Sequence, residues 1–179
     1  MTVMSDLIER GGIPEGYKVE VFDGMVIMTP QSPEQDWTVS DVRDAAKAAG
    51  IARERIFADV LITFPGENDA APDLTIVRSD AERRKNSYAC VDVLAVVEVT
   101  SEPDDQKDYV RNVQKYGRFG IDLYIIADPF TRIVTLKSEP HAAGYGQTKE
   151  IPYGESLVFT LATGERVKVD TGTFPSREA

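Results

Sequence analysis

The stretch VDVLAVVEVTS, residues 91–101, is nearly all apolar, yet it carries a carboxylate, Glu98, close to its polar end. A strand with apolar residues at both odd and even positions has no side for water, so it belongs inside a sheet covered on both faces. Burying an unpaired carboxylate in such a strand costs several kcal/mol, so something must compensate Glu98. A basic side chain would do so, and so would a bound cation.

Working outward from this strand gives the rest of the fold. After it, Ser101-Glu102-Pro103-Asp104-Asp105 has the makings of a helix cap, and a helical pattern follows to about Phe119, closed by Gly120. IDLYIIADP (121–129) is a second buried strand, stopped by Asp128-Pro129. Strand, helix and strand over 91–127 predict a right-handed βαβ crossover within a mixed sheet. Before it, RIFADVLITF (55–64) and PDLTIV (72–77) are strands. PEQDWTVSDVRDAAKAAG (33–50) places Trp37, Val42, Ala45, Ala46 and Ala49 at helical spacing and ends on a glycine. YKVEVFDGMVIMTP (17–30) is two alternating runs around Asp23-Gly24, a hairpin signal, and MSDLIERGG (4–12) predicts a short helix. From Thr131 to Val169 the pattern is short strands separated by Gly/Pro turns. The expectation is one α/β domain over residues 1–179 with a β-rich C-terminal part.

Composition narrows the function. The chain has 179 residues, 42% apolar and 28% charged, the profile of a globular domain with a real core. No run approaches the roughly 18 apolar residues of a membrane span. The N-terminus lacks the basic, apolar and small-residue succession of a signal peptide, so a cytoplasmic location is expected. One cysteine, Cys90, excludes an internal disulfide framework and is expected to be structural. The net charge of −10 argues against a broad phosphate-gripping surface. It leaves room for a small site whose phosphate affinity comes through a metal ion.

Three acids occupy comparable places. Glu20 lies in the first hairpin strand, Asp73 follows a proline at the head of PDLTIV, and Glu98 closes the central strand. Carboxylates gathered at strand ends repel one another unless a cation or a shared proton intervenes. A hard divalent ion, Mg²⁺ or Mn²⁺, takes such oxygen ligands, polarises a phosphodiester and activates water. Each acid also has an ordinary reading: a turn carboxylate for Asp73, a solvent-facing residue for Glu20, a buried salt bridge for Glu98.

The succession VEVFDG, APDLTIV, VVEVTS, DYVRNVQKYGRFGI and DLYIIADP resembles the Uma-type family, grouped with restriction endonucleases in the PD-(D/E)XK nuclease superfamily. The resemblance runs from about residue 13 to residue 145. It implies a restriction-endonuclease-like fold, a mixed central sheet flanked by helices, and a homodimer. It also implies metal-dependent hydrolysis of DNA phosphodiesters. Asp73, Glu98 and the Val99 carbonyl would hold Mg²⁺ or Mn²⁺, and Glu20 would add a ligand or orient the water. A lysine would stand near the nucleophile.

That lysine is displaced here. The superfamily place two residues after the glutamate holds Thr100. The alternative Uma-type place, between Asp108 and Tyr116 on the following helix, holds Asn112. Lys115, three residues on, is the candidate replacement; its ordinary reading is a solvated surface lysine. The alternative to a nuclease is therefore a nuclease-fold protein that no longer cuts and serves as a binding or oligomerising module. His141 in EPHAAGYG has no partner ligand nearby in sequence, Arg83-Arg84-Lys85 is an ordinary solvated cluster, and GGIPEG lacks the frame of a phosphate loop.

Overall fold

The computed structural model describes residues 17–22 and 25–178, with the side chains of 18–22, 25–27, 29 and 30 left out. The expected helix at 4–12, the GGIPEG segment and the Asp23-Gly24 turn lie outside the described residues. The strands that flank the turn do pair: β1 (Tyr17–Phe22) runs antiparallel to β2 (Met25–Pro30), with Phe22 opposite Met25.

Residues 91–101 form the strand expected of them. β7 (Val93–Val99) is buried at every position. It lies inside a six-stranded sheet of order β10-β9-β8-β7-β5-β3. Its neighbours are β5 (Leu74–Val77), antiparallel, and β8 (Leu123–Asp128), parallel and equally buried. β3 (Ile56–Phe57) extends one edge, and the long hairpin β9 (Ile133–His141) and β10 (Gly144–Pro152) extends the other. The parallel β7–β8 pair needs a crossover, and the helix between them supplies it. Two small pairs complete the strands: β4 (Leu61–Thr63) with β6 (Ser87–Ala89), and β11 (Ser156–Thr160) with β12 (Arg166–Asp170).

The central sheet is covered on both faces. On one, α1 (Pro33–Ala48) and the β11–β12 hairpin pack Val39, Val42, Ala46, Leu157 and Val167 against Leu74, Ala95, Val97 and Ile125. On the other, the crossover helix α2 (a π turn over Lys107–Arg111 continued by Asn112–Arg118) and the β4–β6 pair bring Tyr116, Ile62 and Tyr88 against Val96, Tyr124 and Ile126. The sheet alternation thus sends Asp73, Glu98 and Thr100 toward the α2 face.

α1 begins as its sequence directs. Ser32 Oγ accepts the Gln35 N–H at 3.3 Å while Gln35 Oε1 accepts the Ser32 N–H at 2.9 Å, a capping box with Pro33 at the first position. Gly50, at φ +88°, ends it. The buried stripe is Gln35, Thr38, Val39, Val42 and Ala46, and the expectation that Trp37 joins it is corrected: Trp37 is 56% exposed. It lies one position out of phase with Thr38 and Val42, and Val39 fills the apolar place instead.

The cap of α2 falls at the end of the expected 101–105 segment: Asp105 Oδ1 accepts the N–H groups of Lys107 (2.9 Å) and Asp108 (3.3 Å). The first turn, Lys107–Arg111, is a wide π turn, and α turns follow over Asn112–Arg118. Gly120, at φ +75°, closes the helix as its sequence directs.

Arg55 ties the head of β3 to the β11–β12 turn: Nε donates to the Val77 carbonyl at 2.9 Å and the guanidinium pairs with Glu165. Hydrogen bonds from the Thr163 hydroxyl and from Arg55 hold the Glu165 carboxyl down at about 2. A depressed folded-state value contributes stability that is full above the unfolded value near 4.5 and fades as pH falls toward 2. Glu165→Gln should therefore melt below wild type at neutral pH, the gap narrowing from about pH 4.5 downward. Melting curves that stay parallel from pH 6 to pH 2 would contradict this linkage.

Candidate active site

Asp73 immediately precedes β5 and Glu98 lies near the end of β7. Since Leu74 pairs with Val97, the two acids are opposite one another on adjacent antiparallel strands. Both are buried, at 4% and 1% exposure. They are locked through each other's backbone. Asp73 Oδ2 accepts the Val99 N–H at 2.7 Å, and Glu98 Oε2 accepts the Asp73 N–H at 3.3 Å. The other Glu98 oxygen accepts the Tyr116 hydroxyl at 3.3 Å. Charge-assisted bonds of this kind fix carboxylates in place.

The Val99 carbonyl takes part as well. It accepts Gln35 Nε2 at 3.2 Å, a contact that joins the head of α1 to the end of β7. Two hydroxyls on the α2 side of the sheet, Thr100 Oγ1 and Thr75 Oγ1, are fully buried and have no hydrogen-bond partner among the described residues. Thr100 holds its backbone place, donating to the Ala127 carbonyl at 3.0 Å.

α2 contributes a second acidic group. Asp108, 1% exposed, accepts Asn112 Nδ2 at 2.9 Å and lies 3.6 Å from the Lys107 ammonium. Asp108, Asn112 and Tyr116 all face inward although they are spaced by four. In a regular α-helix each such step overshoots a full turn by about 40°. The wide turn offsets part of that drift: the Asn112 N–H reaches back five residues to the Lys107 carbonyl. The Asp108 carbonyl accepts the Tyr124 hydroxyl at 3.1 Å. Burial, reinforced by the charges of Asp108 and Glu98, raises the Tyr124 phenol far above its ordinary range, so it stays a donor.

Of the sequence-predicted residues, the structure brings Asp73, Glu98 and the Val99 backbone together. Lys115 is half-buried; its ammonium donates to the Asn68 carbonyl and sits 4.3 Å from the centre of the Phe64 ring. The Glu20 side chain lies outside the described residues; its backbone, in β1, pairs with Ile27 of β2. Among the described residues no three Asp, Glu, His or Cys side chains form a metal-binding group. Cys90 is buried, and burial raises its thiol. His141 Nδ1 accepts the Ala143 N–H within its own turn. Sequence reasoning missed Gln35, whose partner is 64 positions away, and Lys107. The Ser32/Gln35 spacing is a capping-box signal that could have found the first of the Gln35 bonds, though not the second.

A mixed sheet with a helix on either face and paired acids on adjoining strands is a restriction-endonuclease-like arrangement. The chain belongs to the Uma2 family, described as a putative restriction endonuclease, whose model matches residues 5–168. Its fold is similar to that of a solved structure, a putative nuclease belonging to DUF820 from Anabaena variabilis ATCC 29413. The TM-score is 0.63 at 19% identity, over 87% of this chain and 88% of that one. No curated protein matches the sequence. No helix among the described residues is long and apolar enough to cross a membrane.

Proposed function

We propose that the protein is a divalent-metal-dependent endonuclease hydrolysing DNA phosphodiesters, with Asp73, Glu98, the Val99 carbonyl and Glu20 as the ligands of Mg²⁺ or Mn²⁺. The observation that carries this reading is the mutual lock of two buried acids, each carboxylate held by a backbone amide of the other's neighbourhood. The donor set is all oxygen, which suits a hard ion rather than zinc. The Thr100 and Thr75 hydroxyls, without a partner among the described residues, fit it too, since a water-carrying ion would supply hydrogen-bonding groups nearby. Bound there, the ion would polarise the scissile phosphate and lower the pKa of a water. The chain's own residues do the positioning. Asp73 and Glu98 present fixed oxygens, Tyr116 and the Asp73 amide hold the Glu98 carboxylate, and the covered sheet faces exclude bulk water. An ion at the site also reconciles a net charge of −10 with an anionic substrate. The wider proposal is one domain over 1–179, working in the cytoplasm as a homodimer.

A second reading has its own observation. Asn112 occupies the helical lysine place, bonded to Asp108, while Lys115 is engaged with Asn68 and Phe64. This favours a nuclease fold that binds or oligomerises without cutting. A cleavage assay with Mg²⁺ or Mn²⁺ on several DNA forms separates the two. Cutting by wild type that Asp73→Ala abolishes supports the enzyme; cutting that Asp73→Ala leaves intact overturns the proposed site. If wild type is silent, Asn112→Lys is expected to gain cleavage, because a lysine there would place an ammonium beside Asp108. Silence in both supports the binding module.

A further inference from the structure

Gln35 is 8% exposed and makes two side-chain bonds in opposite directions. Its Oε1 accepts the Ser32 N–H at 2.9 Å, and its Nε2 donates to the Val99 carbonyl at 3.2 Å. These bonds fix the amide orientation. The Ser32 N–H requires an acceptor and the Val99 carbonyl a donor, so a flipped amide would lose both. Helix capping alone accounts for the first bond and leaves the second unexplained. A carbonyl oxygen has two lone pairs, so one can take the Gln35 donor while the other stays open.

The geometry points to Gln35 as the positioning residue for the Val99 carbonyl: using the head of α1 as a rigid mount, it would orient that oxygen for an ion that Asp73 and Glu98 would hold. This rests on the metal-site reading above. The bond crosses from α1, on one side of the sheet, to the end of β7, whose neighbouring Glu98 faces the other side. The cap that starts the helix therefore also sets the ligand's direction. Partners behind a ligand typically change metal affinity by 10–100-fold.

The test separates capping from positioning. Ser32→Ala removes the hydroxyl that accepts the Gln35 N–H and leaves the Gln35 side-chain bonds in place. Gln35→Met keeps side-chain length and removes both of its bonds; Gln35→Asn, one methylene shorter, replaces it if the methionine variant does not fold. Each protein is titrated with Mn²⁺ alone by calorimetry, and each is melted without metal. The expected result is a lower melting temperature in both kinds of variant, with Mn²⁺ affinity weakened about tenfold or more only in the Gln35 variants. Equal weakening in Ser32→Ala assigns the effect to the helix cap and overturns the positioning role. Unchanged affinity in the Gln35 variants overturns it too, leaving the metal site standing. A wild type that binds no Mn²⁺ overturns both.

Discussion

Glu98→Gln is expected to lower metal-dependent cleavage by at least a hundredfold and to remove any Mn²⁺-induced rise in melting temperature. The metal-free protein should still fold. Glutamine has nearly the same shape, and its carbonyl oxygen can keep the bond from the Asp73 N–H that Glu98 Oε2 now accepts at 3.3 Å. What it lacks is the charge. At 1% exposure that charge sits where solvent screens it little, so it acts strongly on an ion and on its neighbours. Tyr124 already registers it, since Glu98 and Asp108 both help to keep that phenol protonated. Circular dichroism and melting in chelator report the fold; the same melt with Mn²⁺ reports the site. A variant that still gains stability from Mn²⁺ as wild type does would remove Glu98 from the ligand set.

Gly117→Ala should be the most damaging small substitution in the helix. A Cβ at Gly117 would lie 2.0 Å from the Gly144 carbonyl oxygen and 2.4 Å from its carbon. These are backbone atoms, so no side chain can rotate away. Gly144 itself sits at φ +138°, beyond easy reach of other residues, and begins the β10 strand of the edge hairpin. The helix or the hairpin must move, at a cost of about 3 kcal/mol. For a chain of this length that is a fall of roughly 10 °C in melting temperature. Activity should drop as well, because the same helix carries Tyr116, whose hydroxyl holds Glu98. A melting temperature within a degree or two of wild type would mean that the close approach is not rigid.

The parts legible in the sequence are those set by local pattern. β7 announces itself because every position is apolar except the one that matters. The end of α1 follows from Gly50, and the acids Asp73 and Glu98 stand out by their place at strand ends. The parts that escaped depend on partners distant in the chain. Ser101 and Asp105 are equally good caps on paper, and the structure uses Asp105. Trp37 fits a helical stripe by spacing, yet the sheet below meets Val39 and Val42 instead. The bond from Gln35 to Val99 spans 64 positions and has no local signature at all. Asp108 and Asn112 were placed by the family's frame; the wide turn that keeps them on one line was not visible.

That turn has a consequence for chain length. A helix that closes one hydrogen bond over five residues instead of four contains one residue more than α geometry requires. Val110, apolar yet 41% exposed, lies within the surplus loop. At its present length, wound without the wide turn, the helix would leave Asp108 about 80° around the axis from Tyr116, whereas a chain shortened by one residue would bring the pair back to within about 20° as a plain α-helix. The wide turn, in other words, absorbs one residue of extra length and so lets this helix keep a carboxylate and a tyrosine on the same side of the sheet.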